Sequence, residues 1–350
     1  MSDARLEAIR AIIQEDVGKR GLRQHPDANL FDHCSNDFAA ACRDVAQTEN
    51  AAIAIVTGFF IAHADPPCGE TDGPLGALYL ARALAPLGIK VVLMTDPICR
   101  KALEAGLQFC SLQDKVTLQT LPPSLGSSPD FLTLKKKEIF SPKEDLEGLT
   151  HLIALERVGP SHTLASIRAQ AGSNSPDEST FSLEVPAHHR DRCHSMRGHD
   201  ITEFMAPAHL LFETASSRQP RLTTIGIGDG GNEIGMGKIP WKVIRRNINN
   251  GGLIACRVPT DHLIVAGISN WGAYGLASGV RLLRGAKPHK QLFDAAFEKD
   301  LLRVMVEEGP LVDGVTGVQA LSVDGIGFEE YVEPLRRIGD LSWMNDDVLQ

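Results

Sequence analysis

The sequence predicts an α/β protein: a doubly wound, mostly parallel sheet with helices on both faces and its active edge at the strand carboxyl ends. Three observations predict it. Near-continuous apolar runs such as AAIAIVT at 51–57 recur along the chain, as in strands covered on both faces. Helix-like segments of 3.6-residue periodicity separate them, the alternation that a parallel sheet with crossover helices requires. Loops rich in glycine and acidic residues follow several of the runs, at the end where open α/β sheets bind ligands.

The elements follow in order. Ser2 to Val17 reads as an amphipathic helix, with Leu6, Ile9, Ile13 and Val17 on one face, and Gly21 to Asp37 as a loop. The first strand, Ala51 to Thr57, ends at Gly58; a loop carrying Glu70, Asp72 and Gly73 leads to a helix from Leu75 to Leu87, closed by Gly88. A second strand, Lys90 to Thr95, meets Asp96-Pro97, where Asp96 reads as the N-cap of the helix Ile98 to Leu107. Val116 to Leu121 is a weaker third strand, and Pro142 to Leu149 a helix before the strand His151 to Leu155, which ends in Glu156-Arg157. Residues 168–200 read as a long polar excursion over the active face, after which Asp200 caps a helix reaching Ser216. Then come the strand Arg221 to Ile225, a helix Ile239 to Ile248, and strands at Gly252 to Arg257 and Leu263 to Ala266. A small-residue helix to Leu283 and helices at Gln291 to Glu307 and Phe328 to Ile338 complete the chain.

The composition bounds what this fold can serve. At 350 residues, one large domain over 1–350 and two lobes parted near 121–145 both fit. A net charge of −9 argues against nucleic acid and anionic membranes as partners, since both select a basic field. No run approaches the roughly 18 apolar residues of a membrane span, and Met1 to Arg20 has no signal-peptide pattern, so a cytoplasmic protein is expected. Seven scattered cysteines without a C-x-x-C pair argue against zinc and disulfides. A homo-oligomer is left open.

The densest chemistry lies in Gly226-Ile-Gly-Asp229-Gly-Gly-Asn232-Glu233-Ile-Gly-Met-Gly237, where six of twelve residues are glycine. It contains G-x-G-x-x-G, the dinucleotide pattern, between a strand and a helix. Asp229 and Glu233 would repel a phosphate unless a cation lay between them, so no nucleotide cofactor is expected. The loop reads instead as a site for a metal ion or an amino group, with backbone donors at Gly230 and Gly231 for a nearby anion. Glu70, Asp72, Glu156, Asp229 and Glu233 all follow strand ends, and together they could hold a hard divalent cation, Mg²⁺ or Mn²⁺. Asp229, Glu233 and Glu156 are the candidate catalytic carboxylates. Arg197 and Arg157 are candidate clamps for a substrate carboxylate, with Asn232, Ser269 and Asn270 as further ligand contacts. His188, His189, His194 and His199 match no zinc spacing. The substrate expected is a small anionic metabolite or an amino acid. No nucleophile elbow, Walker loop or H-E-x-x-H occurs.

Gly228 to Gly237 resembles the signature of the D-glutamate cyclase C-terminal domain family. Thr57-Gly58-Phe59, Glu70 to Pro74, Glu156-Arg157-x-Gly159-Pro160, Met196-Arg197-Gly198-x-Asp200, Asp261 to Gly272 and Asp313 to Thr316 agree, so the resemblance spans about residues 50 to 320. It implies a lyase that converts D-glutamate to 5-oxo-D-proline with loss of water, in the mitochondrial matrix if the source is eukaryotic. In animal members the domain follows a hydro-lyase-like domain, whose character these 350 residues do not show. The same acidic edge would serve a metal-dependent phosphohydrolase. A metabolite-binding protein without catalysis is the third reading.

Overall fold

The computed structural model describes residues 2–122 and 146–343. At its centre is β1 (Ala52–Thr57), fully buried as its unbroken apolar run requires. On one side of β1 lie β2 (Lys90–Thr95) and β3 (Thr117–Thr120); on the other lie β4 (His151–Leu155), β5 (Thr223–Gly228) and β6 (His262–Val265). All six strands are parallel and run in the order β3-β2-β1-β4-β5-β6. That order is doubly wound, and its winding reverses between β1 and β4. Thr57 pairs with Leu155 there, after which the two chains part at Gly58 and Glu156 and open a crevice.

Alternation along β1 sends Ile53 and Ile55 into one core and Ala54 and Val56 into the other. The first core is closed by the helices Asp37–Gln47, Pro74–Leu84, Pro97–Phe109 and Ser269–Leu283. The second is closed by shorter helices, among them His209–Ser217 and Trp241–Asn247. Among the described residues no helix is long and apolar enough to cross a membrane.

Several local expectations change. Gly252 to Arg257 is not a strand: residues Gly251–Ile254 form a helical turn entered through Asn250 at φ 56°, and only Cys256 bridges back to Ser161. A short apolar run carries no periodicity that separates strand from helix. The loop expected at Gly21 to Asp37 contains the turn of helix Leu30–His33, and the next helix begins at Asp37. The polar excursion begins inside one helix, Leu164–Ala171, and holds a second, Pro176–Glu184, each with a Thr or Ser N-cap. Asp200 opens only the 3₁₀ turn Thr202–Phe204, and Pro207 delays the helix to His209. The lobe boundary near 121–145 and the first half of the helix expected at Pro142 to Leu149 lie outside the described residues apart from 121–122, and residues 146–148 form a turn, not a helix.

Candidate functional site

The carboxylates expected at the strand ends do converge. After β1, the chain returns through Glu70 and Asp72 to the helix Pro74–Leu84, turning at Gly73 with φ 88°. Both oxygens of Asp72 accept backbone N–H groups from the first turn of the helix Ser269–Leu283, Asn270 at 2.8 Å and Ser269 at 3.0 Å. That helix start would otherwise leave its donors unpaired, and its dipole favours an anion. Ser269 N–H is shared with Asp229 Oδ2 at 3.1 Å, and Ser269 Oγ donates to Glu156 Oε2 at 2.5 Å. Asn270 faces the scaffold, its Oδ1 accepting from Gly73 and Gly76. Glu156 stands in the left-handed region at φ 43°, an uncommon backbone state for glutamate, directly at the switch point.

The glycine loop does something the sequence does not suggest. Glu233 curls back so that Oε1 accepts from Asp229 N (2.9 Å) and Gly230 N (2.5 Å), and Oε2 from Gly231 N (2.7 Å). The donors expected for an external anion therefore serve the loop's own carboxylate. This also accounts for the glycines: a Cβ at Gly228 would lie 2.9 Å from Glu233 Cδ, and one at Gly230 would lie 3.0 Å from its Oε1. Backbone that folds around an anion this closely leaves no room for side chains. Asn232 points away and donates to His194 O at 2.8 Å.

A cavity of about 210 Å³ opens above these groups. Glu70, Glu156 and Asp324 line it with Arg20, beside apolar walls from Phe59, Phe60 and Met196 and a rim of His63, Arg197 and His199. Arg197 donates to Val315 O at 2.8 Å and is exposed at the opening. Nothing in the sequence marks Arg20 or Asp324 as a site residue. Arg20 bridges two carboxylates, Nη1 to Asp229 at 2.6 Å and Nη2 to Asp324 at 2.6 Å. Its segment offers no motif. Asp324-Gly325 between Val323 and Ile326 is a legible hairpin signal, and both residues have positive φ, but nothing local says that the hairpin reaches the site. Asp313 ties that hairpin down, accepting from Val315, Thr316, Ser322 and Gly325.

Other expected residues lie in the framework. Arg157 is fully buried, paired through both terminal nitrogens with Asp96 and donating to the carbonyls of Gly58 and Ala206. No donor of Arg157 reaches the cavity. Asp96 stands at an N-cap position, yet its side chain takes Arg157 and Ala206 N–H instead of capping the helix. The rings of His188 and His189 lie against each other at a tilt of 42°, and neither lines the acidic cavity. A larger hollow of about 460 Å³ beside Ile9, Arg281 and Phe293 has no acidic residue among its described lining.

Burial and crowding dominate the electrostatics. Desolvation holds the carboxyls of Glu70, Asp72, Glu156 and Asp229 well above the usual carboxylate range. Neighbouring charges push the same way, Glu233 on Glu156 and Asp324 on Glu70 and Asp72, while Arg20 opposes the shift at Glu70, Asp72 and Asp229. Two groups of three carboxylates have oxygens within 4.8 Å of one another: Asp72, Asp229, Asp324 and Glu156, Asp229, Glu233. Both are buried, all-oxygen sets, the chemistry that hard divalent ions select.

A doubly wound sheet whose switch point gathers buried carboxylates under a small cavity defines the class: an α/β protein with an acidic site at the strand carboxyl ends. Comparison with known families resolves the class further. The chain belongs to the D-glutamate cyclase-like, C-terminal family, whose model matches residues 9–174 and 167–339. It is 27% identical over 362 residues to the mitochondrial D-glutamate cyclase of Homo sapiens, an alignment covering 97% of this chain and 52% of that protein. The chain thus spans about half the length of this curated relative.

Proposed function

We propose that this protein is a D-glutamate cyclase, closing D-glutamate to 5-oxo-D-proline with loss of water, assisted by one divalent cation, Mg²⁺ or Mn²⁺. The observation that carries the reading is the polarity of the cavity, acidic at its floor and basic at its rim. An amino acid with two carboxylates fits such a site with its ammonium down and a carboxylate at Arg197. Membership of the family and the likeness to the human enzyme support the same substrate.

The reaction moves two protons from nitrogen to the leaving oxygen while a C–N bond replaces a C–O bond. Glu156 is placed to carry them. It lines the cavity, and burial holds its carboxyl well above the usual carboxylate range, so its ionised form is a stronger base than an exposed carboxylate. Ser269 Oγ fixes its orientation. Glu70 lies beside it against the ammonium, and Asp229 and Asp72 supply negative charge below. When bound, a divalent ion held by Asp72, Asp229 and Asp324 supplies positive charge to offset that of the substrate carboxylate under attack. Arg197 holds the α-carboxylate, a role its planar fork suits.

The test is incubation of the purified chain with D-glutamate, L-glutamate and a phosphomonoester, each with Mn²⁺ or with excess chelator. Formation of 5-oxoproline from D-glutamate, lost in chelator, is the expected result. Phosphate release without 5-oxoproline would replace the reading with a phosphohydrolase. Cyclisation undiminished by chelator would remove the cation from it.

A further inference from the structure

Arg20 lies where a cation belongs. Its guanidinium spans Asp229 and Asp324 with two contacts of 2.6 Å, and the loop that carries it is pinned at its base. Asp16 accepts the backbone N–H groups of Arg20, Gly21 and Leu22 at 2.8, 3.1 and 3.1 Å, which turns the chain so that residue 20 faces the cavity. Burial opposes its charge, but the charges of Asp229 and Asp324 raise its basicity further, so it stays a cation. Asp72, Asp229 and Asp324 present oxygens within 4.8 Å of one another. An independent observation that points to a ligand is Asp324 Oδ2, buried without a hydrogen-bond partner among the described residues although Oδ1 is engaged. A buried carboxylate oxygen left bare is costly unless something else meets it.

We propose that Asp72, Asp229 and Asp324 form the divalent-cation site and that Arg20 is its internal occupant, exchanged for the metal when the ion binds. This rests on the cation-assisted reading above and names the ligands and their competitor. The physical reason is charge. A guanidinium and a divalent ion bound to the same two carboxylates lie within a few ångströms in a poorly screened interior, where like charges repel strongly. The exchange therefore couples metal binding to release of Arg20, and by reciprocity anything that withdraws Arg20 tightens the metal. Arg20 lies at the cavity floor, so its released fork is available to a substrate carboxylate. An arginine in this role keeps the apo cluster neutral enough to stay folded and gives up its place only to a charge greater than its own.

Calorimetric titration with MnCl₂ on the intact chain tests the exchange in wild type, Arg20→Ala, Arg20→Lys and Asp324→Asn. Arg20→Ala should bind one Mn²⁺ at least about tenfold more tightly than wild type, since a competing charge is gone. Arg20→Lys should fall between them, because one ammonium cannot span both carboxylates, and Asp324→Asn should weaken binding. Circular dichroism checks the fold of each variant, and the Lys variant carries the test if the Ala variant does not fold. Mn²⁺ affinity that is equal or weaker in the Arg20 variants, with wild type binding, overturns the exchange and leaves the cation reading standing. Unchanged affinity in Asp324→Asn overturns the ligand assignment. No binding in wild type or in the Arg20 variants overturns both the exchange and the cation reading.

Discussion

His162 shows how a single buried side chain can set the acid limit of this protein. It is almost fully enclosed, its Nδ1 meets Ser166 Oγ at 2.8 Å, and its Nε2 has no partner among the described residues. Burial pushes its pKa down from 6.5 to about 4, and the charge of Arg257 adds to the shift. Between those two values the unfolded chain binds a proton that the folded chain refuses. Stability from this residue is therefore complete above 6.5 and is lost as pH falls toward 4. The shift corresponds to roughly 3 kcal/mol on the scale of 1.4 kcal/mol per pH unit. Urea unfolding of wild type and His162→Gln across that range should show the variant's stability falling less steeply with acid. Parallel pH profiles would show that His162 does not set the slope.

At the scale of elements, the glycine loop divides its two acids by role. Glu233 is the post around which residues 228–231 wrap, whereas Asp229 faces Arg20 and the other carboxylates. Glu233→Gln replaces one acceptor with an NH₂ that opposes a facing N–H, so a loss of about 1–3 kcal/mol is expected, with lost turnover. Asp229→Asn removes one charge from a crowded acidic group, which relieves repulsion, so its melting temperature should stay near wild type while Mn²⁺ binding weakens. Thermal melts and calorimetry on both variants separate the roles. Equal melting temperatures would place Glu233 outside the scaffold. The loop's glycines, its two acids and its place after a strand were all legible. Which acid the backbone would enclose was not, because that depends on a return of the chain that several sequences could make.

At the scale of the molecule, the site rests on a polar column that crosses the first core. Arg82 donates to Glu298 Oε2 at 2.8 Å, Tyr274 OH to Glu298 Oε1 at 2.7 Å, and the hydroxyls of Tyr274 and Tyr331 meet at 2.5 Å. These residues tie the helix Ser269–Leu283, whose first turn holds Asp72, to the helices Pro74–Leu84, Ala295–Glu307 and Phe328–Tyr331. Glu298 is fully buried, and burial raises its pKa while Arg82 opposes the shift. Arg82→Met would strand that charge, at an expected cost of about 3–5 kcal/mol, and Glu298→Met added to it should restore most of the loss. Denaturant unfolding of the single and double variants measures this. A double variant no more stable than Arg82→Met would mean that packing, not the ion pair, carries the column.

What the sequence by itself determined is the six strands of the sheet, the glycine loop and the edge at which the acids gather. Apolar runs as dense as 51–57 are buried in almost any packing, and a parallel sheet places the residues after its strands on one edge. Arg157, Arg20 and Asp324 were decided only by the tertiary structure. Arg157 reads as a ligand clamp because it follows Glu156, yet Asp96, 61 positions away, takes its fork. Arg20 and Asp324 reach the cavity from outside the sheet, one before the first strand and the other after the last strand of the sheet, and meet across Asp229. No periodicity or spacing encodes such a meeting. It depends on the long-range closure of the chain, where charges distant in sequence share one small, poorly solvated volume.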